Sequence, residues 1–138
     1  MRTWILSLVV CILVLTSGSQ AEDRTQPVRE FDVSGLKVIR RNDVTKPLFL
    51  GSADELPKAI KDVDAVARLK KAVDFEKEKL ALFTWSGSGQ DQLTFAVQDD
   101  RVIFQYTQGR TKDLRQHTRL FVMPKDWTYN ISKSDVDR

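Results

Sequence analysis

The chain has 138 residues, of which 41% are hydrophobic and 30% charged, values that suit one folded domain and exclude the disordered and collagen-like classes. Its 22 basic and 19 acidic residues give a net charge of +3, which is low for a dedicated nucleic-acid binder, so we expect no nucleic-acid partner. One cysteine and one histidine exclude a Cys/His zinc site, an iron–sulfur cluster and a disulfide scaffold by number, and no metal or cofactor is predicted.

The first 21 residues have the three-part pattern of a secretory signal peptide. Arg2 supplies the positive start, residues 5–15 form an apolar stretch interrupted only by Ser7, and a small, polar run ends at Ala21. This stretch is about half of the roughly 20 apolar residues that cross a bilayer, so cleavage after Ala21 is favoured over a retained membrane anchor. The pattern predicts a secreted or periplasmic protein without a stable membrane span after cleavage.

The mature chain is expected to form a single domain over residues 31–132. Residues 22–30 are polar and predict a flexible leader, and residues 133–138 predict a flexible tail. Apolar residues alternate over residues 36–40, which predicts an early strand.

A helical region is predicted between residues 52 and 73. Ser52 and Glu55 have the spacing of a capping box, in which two side chains satisfy backbone N–H groups of the first turn. Pro57 predicts a kink or a division of the helix, although the break could equally fall at residues 62–64. Apolar residues at steps of three and four predict one buried helical face, which comprises Leu56, Ile60, Val63, Val66, Leu69 and Val73.

From residue 79 the hydrophobic period changes to two, which predicts strands. Residues 79–85 are apolar on both faces, as expected for a central strand buried on two sides. Turns predicted at residues 86–91 and 99–100 imply two hairpins. The strands are expected near residues 79–85, 93–97, 102–106, 119–123 and 127–131. We therefore expect an α+β fold, with one or two N-terminal helices packed on a small antiparallel sheet, barrel- or sandwich-like, of five to six strands.

Residues 73–131 carry a resemblance to a known family. The sequence Val-Asp-Phe-Glu-Lys-Glu at residues 73–78 is followed by a hydrophobic strand, a Gly-rich turn, two strands and a last strand ending near Met123-Pro124-Lys125. This order resembles the C-terminal domain of PrcB-type protease-complex subunits and related exported bacterial proteins. The turn departs from the Pro-, Thr- and Gly-rich pattern of that family, because it is Ser-Gly-Ser-Gly-Gln-Asp here. The resemblance implies a non-enzymatic accessory or protein-binding role in the envelope.

The segment 108–119 is the candidate binding site. It holds four basic residues and one acid, Asp113, and guanidinium groups in such a segment can bind a carboxylate or phosphate in bidentate fashion. The competing interpretation is a solvated connection whose charges pair with Asp113 or neighbouring carboxylates. The contact residues expected for another envelope protein or an anionic ligand are Arg110, Lys112, Asp113, Arg115 and His117, with Ser88 and Gln90 of the Gly-rich turn.

Three hypotheses about function remain open. The leading one is an exported, non-catalytic domain that binds another protein or an envelope component. The second is a small hydrolase of unrecognised mechanism, in which Ser86 or Ser88 would be the nucleophile, His117 the base and Asp113 the orienting acid. The turn lacks a nucleophile elbow, because Ser86 stands where the first glycine of that motif belongs. The third hypothesis is a purely structural domain.

Overall fold

The structure, a computed structural model, describes residues 26–134 and is an α+β fold, as predicted. The predicted signal peptide, residues 22–25 of the predicted leader and residues 135–138 of the predicted tail lie outside the described residues. The elements are β1 (Arg29–Phe31), β2 (Leu48–Leu50), a 3₁₀ turn (Ala53–Glu55), α1 (Leu56–Ala59), α2 (Val63–Ala72), β3 (Glu78–Ser88), β4 (Gln92–Gln98), β5 (Arg101–Thr107), β6 (Leu114–Pro124) and β7 (Thr128–Ser134).

Residues 26–134 contain seven strands rather than the expected five to six, and these strands form two sheets. Sheet 1 is antiparallel, in the order β1-β6-β3-β2, and its central strands β6 and β3 are 11 residues long. Sheet 2 has the order β4-β5-β7, in which β4 and β5 are antiparallel but β5 and β7 run parallel. The parallel pair departs from the expected all-antiparallel sheet, because the chain crosses to sheet 1 as β6 before it returns as β7.

Sheet 1 is buried on both of its faces. Leu80 and Leu82 of β3 belong to a core cluster shared with α1 and α2. Ala81, Phe83 and Trp85 belong to a second cluster shared with sheet 2. The fold therefore has three layers, helices, sheet 1 and sheet 2, and the two-sided burial predicted for the central strand is confirmed.

The helical region is divided at residues 60–62 rather than at Pro57. Pro57 lies in the first turn of α1, where its missing N–H costs no helical hydrogen bond. Asp62 caps α2 by accepting a hydrogen bond from the Ala65 N–H at 2.8 Å. Because of the break, α2 buries a different face from the one that the spacing predicts. Ala65 is buried, and Val63, expected on the buried face, is 80% exposed. The helices also follow β1 and β2 rather than preceding the sheet. No helix in residues 26–134 combines the length and apolarity needed to cross a membrane.

Part of the predicted leader belongs to the fold. Val28 is buried in the cluster between the sheets, and Arg29 begins β1. The Arg29 guanidinium donates to the Glu78 carboxylate at 2.6 Å. The place of residues 28–30 in the fold could not be predicted from the sequence, because one buried valine and one ion pair produce no periodic hydrophobic pattern. At the other end, β7 continues to Ser134, past the predicted end of the domain.

The strand expected at residues 36–40 is replaced by an irregular segment. Val38 forms an isolated β-bridge with Ile60, and the Ile39 N–H donates to the Ala59 carbonyl at 2.7 Å. The segment therefore pairs with the link between α1 and α2 and adds no strand to either sheet. Its apolar alternation reflects packing beside the helices.

The Gly-rich turn is shorter than predicted and does not close a hairpin. β3 continues through Ser88, and the turn itself covers Gly89 and Gln90. β3 and β4 belong to different sheets, so the turn carries the chain from sheet 1 to sheet 2. Of the two expected hairpins, the one closed at residues 99–100 is confirmed.

Candidate functional site

The predicted site residues lie at the end of sheet 1 where β3 leaves the sheet and β6 begins. The β3–β6 register places Gly87 opposite Arg115. The segment 108–119, expected to be a connection between strands, is therefore half loop, over residues 108–113, and half strand from Leu114 onward. The four basic residues divide accordingly, with Arg110 and Lys112 in the loop and Arg115 and Arg119 in the strand, which also carries His117.

Ser88 joins the end of β3 to the loop. Its Oγ lies 2.5 Å from the Thr111 Oγ1 and accepts hydrogen bonds from the backbone N–H groups of Thr111 and Gln90, each at 3.2 Å. Its carbonyl oxygen lies 2.8 Å from Nε2 of His117. Ser88 is only 9% exposed, so its hydroxyl positions the loop and is poorly placed to attack a substrate. Gln90 contributes its backbone N–H to this arrangement.

Asp113 fastens the other end of the loop. Its Oδ1 accepts a hydrogen bond from the Gly89 N–H at 3.2 Å, and its Oδ2 accepts one from the Arg115 Nε–H at 2.8 Å. A hydrogen bond from the Thr111 hydroxyl, followed by those from Arg115 and Gly89, holds the pKa of this carboxyl well below its usual range. Arg115 and Asp113 form the kind of local ion pair that the solvated-connection interpretation expects.

Asp91 organises the site and is the residue that sequence reasoning missed. Its Oδ2 accepts hydrogen bonds from Trp85 Nε1 at 3.0 Å and from the Tyr106 hydroxyl at 2.8 Å, and its Oδ1 accepts one from the Gly109 N–H at 2.8 Å. Burial and the hydrogen bond with Asp91 raise the pKa of Tyr106 to about 12. The donors belong to β3, β5 and the loop, so Asp91 ties both sheets to residues 108–113. They lie 6, 15 and 18 residues away along the chain, where no local pattern could identify them.

His117 is held by Trp85 and Ser88. Its ring stacks on the Trp85 indole with centroids 4.7 Å apart and planes inclined by 12°. Its Nε2 contacts the Ser88 carbonyl oxygen, whereas the Ser88 hydroxyl contacts Thr111 and the Asp113 carboxylate contacts Arg115 and Gly89. Within residues 26–134, these groups therefore do not form the nucleophile, base and acid series that a serine hydrolase uses.

A groove runs beside the outer edge of β6. It has a volume of about 400 Å³ and lies between residues 116–119 of β6 and residues 32–36, which follow β1. In the described part of the chain, β1 pairs only with residues 120–122, so residues 114–119 have a strand partner on the β3 side alone. Arg119, at the inner end of the groove, donates to the Glu30 carboxylate and lies over the Phe121 ring.

Comparison with known proteins identifies no relative of this chain. No family model matches the chain, and neither a curated protein nor a solved structure matches it significantly. The role of the site therefore has to be inferred from the loop, the strand edge and the groove.

Proposed function

We propose that the protein is an exported, non-catalytic accessory domain that binds another protein of the bacterial envelope or secretome through the loop 108–113 and the first half of β6. One observation carries the proposal. Residues 114–119 lie beside a basic loop, and the outer edge of residues 116–119 borders a groove of about 400 Å³. An open strand edge of this kind can accept an extended segment of a partner as an added strand.

The side chains near the edge indicate the chemistry of the partner segment. Arg110 and Lys112 are exposed in the loop, and Asp113 is the only acid among residues 108–119. Leu114, at the start of β6, is 77% exposed and offers an apolar contact. An extended segment that carries carboxylates and one apolar residue fits these groups, because guanidinium and ammonium groups bind carboxylates and the open edge binds backbone.

Export is part of the same proposal. The signal-peptide pattern of residues 1–21 supports it, with cleavage after Ala21 and a secreted or periplasmic location. The resemblance of residues 73–131 to the C-terminal domain of PrcB-type subunits supports an accessory role in a protein complex of the envelope.

Capture of partners from an envelope fraction tests the proposal. The immobilised protein is expected to retain a partner at low salt and to lose most of it at high salt, because exposed charges are screened. The Arg110→Ala and Lys112→Ala double variant should retain much less of that partner. A matched control, Lys70→Ala with Lys71→Ala, removes two exposed cations from α2 and should bind normally.

Amide hydrogen exchange then tests the binding mode. The captured partner should slow exchange in residues 114–119, whose outer edge would become paired. Equal loss of binding in the two double variants, or protection that spares residues 114–119, contradicts the proposed surface.

A further inference from the structure

The outer edge of β4 is another open strand edge. It belongs to sheet 2, whereas the groove lies beside β6 of sheet 1. β4 pairs with β5 along its whole length, from Gln92 opposite Thr107 to Gln98 opposite Arg101. This register has one partner for every residue and therefore contains no bulge. Among the described residues, no strand pairs with the other side of β4.

β4 lacks the features by which edge strands avoid pairing with other chains. Such strands are protected by shortness, charges, proline or bulges. β1 and β2 have three residues each, and β7 carries Lys133. β4 has seven residues, Gln-Leu-Thr-Phe-Ala-Val-Gln, with neither a charge nor a proline. On its core-facing side, Val97 is still 44% exposed.

The β4 sequence is close to a palindrome centred on Phe95. If a second copy lies antiparallel with Phe95 opposite Phe95, then Leu93 lies opposite Val97, Thr94 opposite Ala96, and Gln92 opposite Gln98. The pairs join identical or similar residues, glutamine with glutamine, leucine with valine and threonine with alanine, both small, and no charges meet within residues 92–98. The pairing also keeps Leu93, Phe95 and Val97 of both copies on the core-facing side, because side chains alternate between the two faces.

We propose that β4 is a homodimer interface, in which a second copy of this chain pairs with it antiparallel across a two-fold axis. The two three-stranded sheets then form one continuous six-stranded sheet. Every second residue of β4 directs its N–H and C=O groups away from β5, and the second copy satisfies these groups. One strand pair buries less than the roughly 800 Å² per partner of a standard complex, so the dimer dissociates on dilution.

Sedimentation velocity over a concentration series of the purified protein tests the dimer. The variant Thr94→Lys with Ala96→Lys should raise the dimer dissociation constant about tenfold or more, because each lysine would face a lysine of the second copy. Both replaced residues are exposed on the solvent face, so the monomer should stay folded, which circular dichroism checks. The matched control, Thr128→Lys with Asn130→Lys, places the same charges on the same face of β7 and should dimerise normally.

A charge exchange distinguishes pairing at β4 from a general effect of charge. The Thr94→Glu and Ala96→Glu variant should also be monomeric alone, and a mixture with the lysine variant should form a heterodimer, because opposite charges then face each other. A wild-type protein that is monomeric throughout the series overturns the proposal. Equal weakening by the β7 control, or a mixture that stays monomeric, also overturns it.

Discussion

The rings of Trp85 on β3 and His117 on β6, two neighbouring strands of sheet 1, stack on each other with centroids 4.7 Å apart. The two residues are direct partners in the β3–β6 register, at the boundary between the core and the loop. Trp85 is buried and donates to Asp91, whereas His117 contacts the Ser88 carbonyl oxygen. The stack thus couples the cluster between the sheets to the end of β6 that borders the groove.

Replacement of His117 by alanine should lower the free energy of unfolding by about 1 kcal/mol, because the stack with Trp85 is lost. Denaturant unfolding followed by circular dichroism measures this change. His117→Phe keeps an aromatic ring and loses only the Nε2 contact, so it should retain most of the stability. Equal losses in the two variants would show that the contact with Ser88, and not the stack, stabilises this end of the sheet.

Asp91→Ala should be the most damaging substitution of a polar residue in the site. It removes the acceptor for Trp85, Tyr106 and the Gly109 N–H. A hydrogen bond to a charged group contributes roughly 1.5–3 kcal/mol, and neighbouring losses do not add fully, so a total of about 3 kcal/mol is expected. Urea unfolding at neutral pH measures it, and Asp91→Asn, which retains one acceptor oxygen, should lose less.

A second carboxylate provides the control for Asp91. Asp100 lies exposed in the turn between β4 and β5, and Asp100→Ala should change stability by no more than about 0.5 kcal/mol. If Asp91→Ala costs no more than this control, Asp91 does not hold the sheets and the loop together.

Much of the secondary structure could be predicted because short-range chemistry decides it. The apolar residues on both faces of β3 predicted a strand buried on two sides, and sheet 1 is buried on both faces. Glu55 reaches back to the backbone N–H groups of Gly51 and Ser52, as the capping-box spacing indicates. The buried face of α2 could not be predicted from the apolar spacing alone. The spacing assumes one continuous helix, whereas α1 ends at Ala59 and α2 begins at Val63 with Asp62 as its N-cap.

The assignment of strands to sheets could not be predicted from local pattern. A Gly-rich turn between two alternating segments is typical of a hairpin, but β4 joins sheet 2. The contacts that hold the turn in its position come from Tyr106 and Gly109, far along the chain from Asp91. The parallel pairing of β5 with β7 has no sequence signature either, because it depends on the crossover through β6.

The candidate site was predicted as a neighbourhood but not as a set of contacts. Ser88, Asp113, Arg115 and His117 do lie together, because the β3–β6 register brings the two predicted segments side by side. Their roles in binding stay predictions. The groove beside β6 had no sequence signal, because residues 32–36 reach it through the three-dimensional path of the chain after β1.

The hydroxyl of Tyr106 should make stability fall at alkaline pH. Its pKa is raised from 10.0 to about 12 in the folded protein, first by burial and then by the hydrogen bond to Asp91. A raised pKa in the folded state means that this contribution is fully present below about pH 10 and is lost as the pH rises to about 12. Tyr106→Phe has no such group, so its free energy of unfolding should fall less steeply over this interval.

Tyrosinate absorbance provides a direct check on the same group. The chain has two tyrosines, and the folded protein should show a late absorbance step near pH 12 that Tyr106→Phe removes. Tyr129→Phe should keep the late step, because Tyr106 is still present. A late step that persists in Tyr106→Phe would place the raised pKa elsewhere.

Replacement of Gly109 by alanine should detach the loop from the turn. A Cβ at this position would lie 2.6 Å from the backbone carbonyl carbon of Gln90 and 2.6 Å from the Ser88 Oγ. Because one of these atoms is backbone, the loop must move, and the Gly109 N–H loses its bond to Asp91. The expected loss is about 2–4 kcal/mol, with faster amide exchange in residues 109–113.

Gly51→Ala is the matched control, since an added Cβ there meets no atom within 4 Å. It should leave the free energy of unfolding within about 1 kcal/mol of the wild type, because only backbone freedom and solvent contact change. If Gly109→Ala proved as stable as this control, the loop would not be seated on residues 88–90. The basic residues Arg110 and Lys112 would then lack the fixed position beside β6 that binding to an extended partner segment requires.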